Sequence, residues 1–131
     1  MISAILRNYR QSPRKVRVVA NTIRGKKAGD ALTILTFLNK KAKTPLMGLL
    51  ASAIANAKNN FNIDHDGLFV KEIRVDGGVT LKRRMPRARG MAYPINKRTS
   101  HVIITLAPVA EMKTKARRVK SVPAEVTAPT K

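Results

Sequence analysis

Residues 77–100 constrain the fold of this chain more than any other segment. On either side lie runs with the two-residue rhythm of half-buried strands. Ile73 and Val75 alternate with Glu72, Arg74 and Asp76 before the segment, and Val102, Ile104 and Leu106 form the expected core face after it. The residues between hold too few apolar groups, in the wrong rhythm, to build a core. A structureless loop of that length is uncommon inside a compact domain. The better reading continues both strands outward as a long hairpin that turns within Met85-Pro86-Arg87-Ala88-Arg89-Gly90. An arm of about ten residues reaches roughly 33 Å, at ~3.3 Å per residue. An isolated two-stranded ribbon is marginal in water, so the arm is expected to be ordered against a partner. Gly77-Gly78 reads as a bulge or bend where the arm leaves the sheet.

The charge of the segment says what kind of partner. Residues 77–110 hold Lys82, Arg83, Arg84, Arg87, Arg89, Lys97 and Arg98 and no acid. A solvated surface normally mixes signs, so this run calls for an external polyanion. Nucleic acid fits best, because its phosphates are dense and release counterions on binding. Five Arg against two Lys in residues 82–98 suits bidentate phosphate contact and base stacking. Elsewhere, residues 1–60 carry twelve bases and one acid, while residues 61–76 carry two bases and four acids. The whole 131-residue chain is +20 yet 44% hydrophobic, too apolar for a disordered polyelectrolyte and about the size of one domain. It has no Cys and no Trp, which excludes thiolate zinc sites and disulfides and leaves no obvious aromatic stacking platform. No apolar run approaches a membrane span, and the first residues lack the pattern of a signal peptide, so a soluble intracellular protein is expected.

Three helical stripes precede the strands. Ser12-Pro13 offers a cap and a first-turn Pro, Val16, Val19, Ala20 and Ile23 follow at helical spacing, and Gly25 can end the helix. Asp30 is placed to cap a second helix with Ala31, Leu32, Leu35 and Leu38 as its stripe. Thr44-Pro45 repeats the cap-then-Pro start before Leu46, Leu50, Ala53, Ile54 and Ala57. A weaker strand lies within Ser3 to Tyr9. The expected fold is α+β: three helices packed on a small antiparallel sheet of about three strands, with one long protruding β-hairpin over residues 77–101. Residues 1–110 read as one domain, and residues 111–131 as a flexible basic tail.

Catalytic chemistry finds little support. His65 and His101 are the only histidines, and His101 and Ser100 point to opposite faces of a strand. Asn62-Ile63-Asp64-His65-Asp66-Gly67 opens like a calcium loop, but its twelfth position is Ile73 rather than Glu, so an Asx-rich turn is the better account. No cofactor and no metal is expected. Arg14, Lys15 and Arg17 on the first helix, with Lys26 and Lys27 just beyond it, are candidate phosphate contacts.

Several of these segments together resemble a known family. Ser12-Pro13-Arg14-Lys15-Val16-Arg17-Val18-Val19-Ala20, closing in Ile23-Arg24-Gly25-Lys26, resembles the first helix of the bacterial-type large-subunit ribosomal protein L22 family (universal name uL22). Ser52-Ala53-Ile54-Ala55-Asn56-Ala57 is similar to its third helix. Lys82 to Gly90, followed by Lys97-Arg98-Thr99-Ser100-His101, resembles its extended hairpin and return strand. The likeness runs in order from about residue 3 to 107. It implies a structural, non-enzymatic role in the large ribosomal subunit, with large-subunit (23S-type) rRNA, neighbouring ribosomal proteins and the nascent polypeptide as partners. Its hairpin would line the exit tunnel, with Met85 to Gly90 nearest the tunnel, and its body would aid assembly. Carried over by position, the arm bases, Lys15, Arg17 and Lys26 should meet rRNA. The location implied is the ribosome, in the cytoplasm, with an organellar ribosome left open. No homo-oligomer and no membrane contact is expected. The tail inherits no role from the family.

Two rivals have different signatures. An architectural DNA-binding protein with basic β-arms would wedge Pro86 between base steps, but such proteins usually build their body by dimerisation. An enzyme acting on nucleic acid would need paired carboxylates, and the acids here cluster only in residues 64–76.

Overall fold

Pro13 starts the first helix because its fixed φ suits the first turn and its missing N–H would have had no partner there. The computed structural model describes residues 2–109, in the order β1 (Ile2–Tyr9), α1 (Pro13–Ile23), α2 (Ala28–Phe37), α3 (Lys43–Phe61), a 3₁₀ turn (His65–Gly67), β2 (Leu68–Pro86), a second 3₁₀ turn (Ala88–Gly90) and β3 (Ala92–Pro108). The basic tail expected at 111–131 lies outside the described residues. The strands form one antiparallel sheet in the order β1-β3-β2, and the three helices pack on it as an α+β body.

The three apolar stripes meet on one face of that sheet. Val16, Val19, Ala20 and Ile23 of α1 are buried, as are Ala31 and Leu35 of α2 and Leu46, Leu50, Ala53 and Ala57 of α3. Opposite them lie Ile2 and Ala4 of β1, Val70, Ile73 and Val75 of β2, and Val102, Ile104 and Leu106 of β3. Leu32, Leu38 and Ile54 pack at the margin, half-buried, and Leu49 joins the core from the flank of its stripe.

The helix starts differ from the sequence expectation in detail. Ser12 precedes α1 but makes no side-chain cap, and its carbonyl accepts from the amides of Lys15 and Val16. The second helix begins at Ala28, not after Asp30. The Lys27 carbonyl already accepts from the Ala31 N–H, which leaves Asp30 inside the first turn, where its charge opposes the helix dipole favourably. The third begins at Lys43, one residue before Thr44, and Pro45 is accommodated because first-turn amides have no intrahelical partner. Lys43 instead reaches back with Nζ to the Thr36 carbonyl, 3.3 Å away, near the C-terminal end of α2. Asn62 closes α3 in the left-handed conformation, φ 51°.

Beyond the body, β2 and β3 pair alone. Their ladder runs from Leu68 opposite Pro108 to Pro86 opposite Ala92, with register shifts between Val70 and Glu72 and between Gly77 and Thr80. The second shift falls where the expected bend lay. From Val79 to Gly90 every residue is exposed, so the outer ladder has no core beneath it.

Candidate nucleic-acid interface

Ten residues of β2, Gly77 to Pro86, extend past the body, a reach of roughly 33 Å. Lys82, Arg83 and Arg84 sit on this outgoing stretch, with Lys97 and Arg98 on the return. Arg87 and Arg89 stand at the turn. All seven side chains are exposed, and among the described residues none of them forms an ion pair.

The turn is a short closed loop. The Arg87 amide donates to the Met91 carbonyl at 2.8 Å, and Arg89 and Gly90 both take positive φ, 59° and 70°. Gly90 adopts that region freely, while Arg89 does so at a cost of about 1 kcal/mol. Beside the turn, Met85, Met91, Tyr93 and Ile95 line an open cleft of about 760 Å³ together with Arg87 and Arg89. Met85, Met91 and Tyr93 are each about half exposed, so they form a patch on the ribbon instead of filling its interior.

At the other end of the arm, the fold gathers bases that are far apart in sequence. A cleft of about 870 Å³ lies between the start of α1 and the root of the hairpin. Arg14, Lys15 and Arg17 line it from the helix, and Lys97 and Arg98 from β3. Arg10 and Lys41 complete the set, with Gln11, Ser12, Pro13 and Asn96 between them. No carboxylate lines this cleft among the described residues. Sequence reading missed Arg10 and Lys41 as members. Arg10 adjoins the Gln11-Ser12-Pro13-Arg14 run and was within reach of it, whereas Lys41 comes from the α2–α3 connection and is brought in only by packing. Lys26 and Lys27 are exposed but lie past the opposite end of α1, outside the cleft.

Arg17 is not a free cation. Its Nε and Nη2 both donate to the Val75 carbonyl, at 3.1 and 2.8 Å. Arg24 Nη2 donates to the Ile73 carbonyl at 3.0 Å. Asp76 is also engaged: it accepts from Arg74 Nε at 3.0 Å, on the strand and away from the basic cleft. Burial raises the Tyr9 phenol above its ordinary value, so it stays neutral at physiological pH.

The hairpin root is tightly built. Thr99 Oγ1 donates to the Val79 carbonyl at 2.7 Å, and His101 Nδ1 accepts from the Asn8 amide at 3.1 Å. A histidine accepting at Nδ1 carries its proton on Nε2 when neutral. A Cβ on Gly78 would lie 2.5 Å from Thr99 Oγ1 and 2.9 Å from His101 Nε2, while one on Gly77 would meet nothing within 4 Å. Gly78→Ala is therefore expected to cost about 1–3 kcal/mol, because both side chains must give up their bonds. Gly77→Ala should stay within ~0.5 kcal/mol, as for an ordinary surface change. Thermal unfolding of the two variants side by side checks this, and equal melting temperatures would contradict it.

Comparison with known proteins agrees with this geometry. The chain matches the family model described as Ribosomal protein L22p/L17e over residues 4–107. Curated relatives named "Large ribosomal subunit protein uL22", from two strains of Desulfitobacterium hafniense, are 53% identical over 108 residues, covering 82% of this chain and 95% of theirs. The matched span includes all three helices, the basic cleft and the whole hairpin, and on that basis the chain belongs to the ribosomal protein L22p/L17e family, whose members are structural and not enzymatic.

Proposed function

We propose that this protein binds large-subunit rRNA through the acid-free cleft and the arm, aids assembly of the subunit, and lines the peptide exit tunnel with its hairpin. As a member of its family it is a structural constituent of the large ribosomal subunit. The observation that carries the rRNA reading is the continuity of positive charge. The cleft bases Arg14, Lys15, Lys97 and Arg98 lead directly into Lys82, Arg83 and Arg84 on the arm, with Arg87 and Arg89 at its end. Lys26 and Lys27 give a second, separate contact beyond α1. Bases on several sides of one small body suit a folded RNA that surrounds it. Affinity comes from phosphate neutralisation, and selectivity from RNA shape, since A-form grooves offer side chains little sequence to read. Residues 1–110 act as one RNA-binding unit, working as a monomer beside neighbouring ribosomal proteins and located with the ribosome in the cytoplasm. Met85 to Gly90 form the part of the arm that faces the nascent chain.

Two measurements test this. Purified protein should prefer folded large-subunit rRNA over bent duplex DNA at the same salt, and a preference for DNA would overturn the rRNA reading. A photo-crosslinker at Ala88 in stalled ribosomes should label the nascent chain, and failure to label it would remove the tunnel role while leaving the rRNA contacts standing.

A further inference from the structure

Among the described residues, the sheet order leaves β2 on an edge, with carbonyls and amides that have no strand beside them. Over the body, that edge is covered in an orderly way. Lys27 bridges to Phe69, Val70 exchanges bonds with Gly25 and Lys26, Arg24 reaches the carbonyl of Ile73, and Arg17 forks onto that of Val75. Arg17 lies on α1 and Arg24 is the extended C-cap residue just past its end, seven positions on, and their acceptors are two residues apart on the strand. Arg17 is the last fastening before Gly77, where β2 leaves the body.

We propose that Arg17 and Arg24 are positioning residues that clamp the free edge of β2 to α1 and so fix the direction in which the hairpin departs, acting on RNA only through the strand they hold. A guanidinium whose Nε and Nη2 already point at one carbonyl presents a poor fork to a phosphate. Lysine keeps the charge but lacks the fork, so it separates the two roles. The effect on RNA affinity rests on the rRNA reading above; the clamp itself does not.

The test uses the full chain with Arg17→Lys, Arg17→Met, Arg24→Lys and Arg24→Met. Without RNA, amide exchange in residues 73–78 should quicken by about tenfold or more in all four, as for loss of a charged hydrogen bond. With a large-subunit rRNA fragment, the Lys and Met variants of each site should lose affinity alike. The slope of log K against log salt should stay at the wild-type value. The Lys variants guard against misfolding of the Met ones, and their melting curves show whether the body is intact. Exchange that stays at the wild-type rate overturns the clamp. So does a slope that drops by ~0.7–0.9 in the Met variants while the Lys variants bind normally, since that marks a phosphate contact. Faster exchange with unaltered affinity overturns the claim that the clamp serves binding. If wild-type protein does not select rRNA at all, the proposed function fails, and the exchange data alone decide the clamp.

Discussion

Replacing Lys82, Arg83, Arg84, Lys97 and Arg98 together with Gln lowers the salt slope of rRNA binding by roughly 3.5–4.5, at ~0.7–0.9 for each phosphate no longer neutralised. The body is untouched, because these side chains are exposed and hold nothing in the core. Among the described residues, the Arg83 side chain bonds only to the carbonyl of its neighbour Lys82, which is local geometry with little bearing on stability. The expected signature is therefore a large loss of affinity at low salt with melting behaviour near that of the wild type. Binding titrations at three or more salt concentrations measure it. A slope within one unit of the wild-type value would move the contact surface off the hairpin and onto the helix side of the cleft, Arg10, Arg14, Lys15 and Lys41.

Leu50→Ala has the largest expected effect on stability. Leu50 is fully buried on α3 and belongs to the cluster where all three helices meet the sheet. Truncating it costs the transfer free energy of the deleted methine and two methyl groups and leaves a cavity, together about 3–5 kcal/mol. Small domains have only about 5–15 kcal/mol in total, so this variant should sit close to unfolding at growth temperature. Leu81→Ala, on the arm, removes a side chain that is 37% exposed and should cost below ~0.5 kcal/mol. Denaturant unfolding of both variants checks the contrast. Equal losses would mean that the arm and the body share one cooperative core, against the exposure of every residue from Val79 to Gly90.

The parts of this molecule legible in its sequence are those governed by neighbours along the chain. Val16, Val19, Ala20 and Ile23 repeat at helical spacing, and all four are buried. The alternation around Ile73 and Val102 marks the core face of both long strands, and the absence of acids between Asp76 and Glu111 marks the arm. Helix starts are harder, because a good cap residue is a local preference that packing can override. The Lys27 segment is drawn against Phe69, and that fixes where α2 begins whatever Asp30 prefers. The engagement of Arg17 is hidden for a related reason. Its acceptor on Val75 is 58 residues away, and nothing in the local pattern of α1 separates an arginine that holds a strand from one that awaits a phosphate. Lys41 joins the basic cleft in the same way, through packing of a connection that local spacing does not describe.

The two long strands are each part core and part arm, and this sets how the arm can change in length. Side chains alternate along a strand, so a slip of one residue in the ladder would turn Ile73, Val75, Val102 and Ile104 out of the core. The body therefore locks the register that the arm inherits. A single insertion between Thr80 and Pro86 has to be absorbed by a bulge or at the turn around Ala88. A clean extension adds residues in matched pairs, one on each strand, moving the tip outward by about 3.3 Å for each pair. The hairpin behaves as a graduated rule, its divisions fixed by the core and its reach open to change only at the far end.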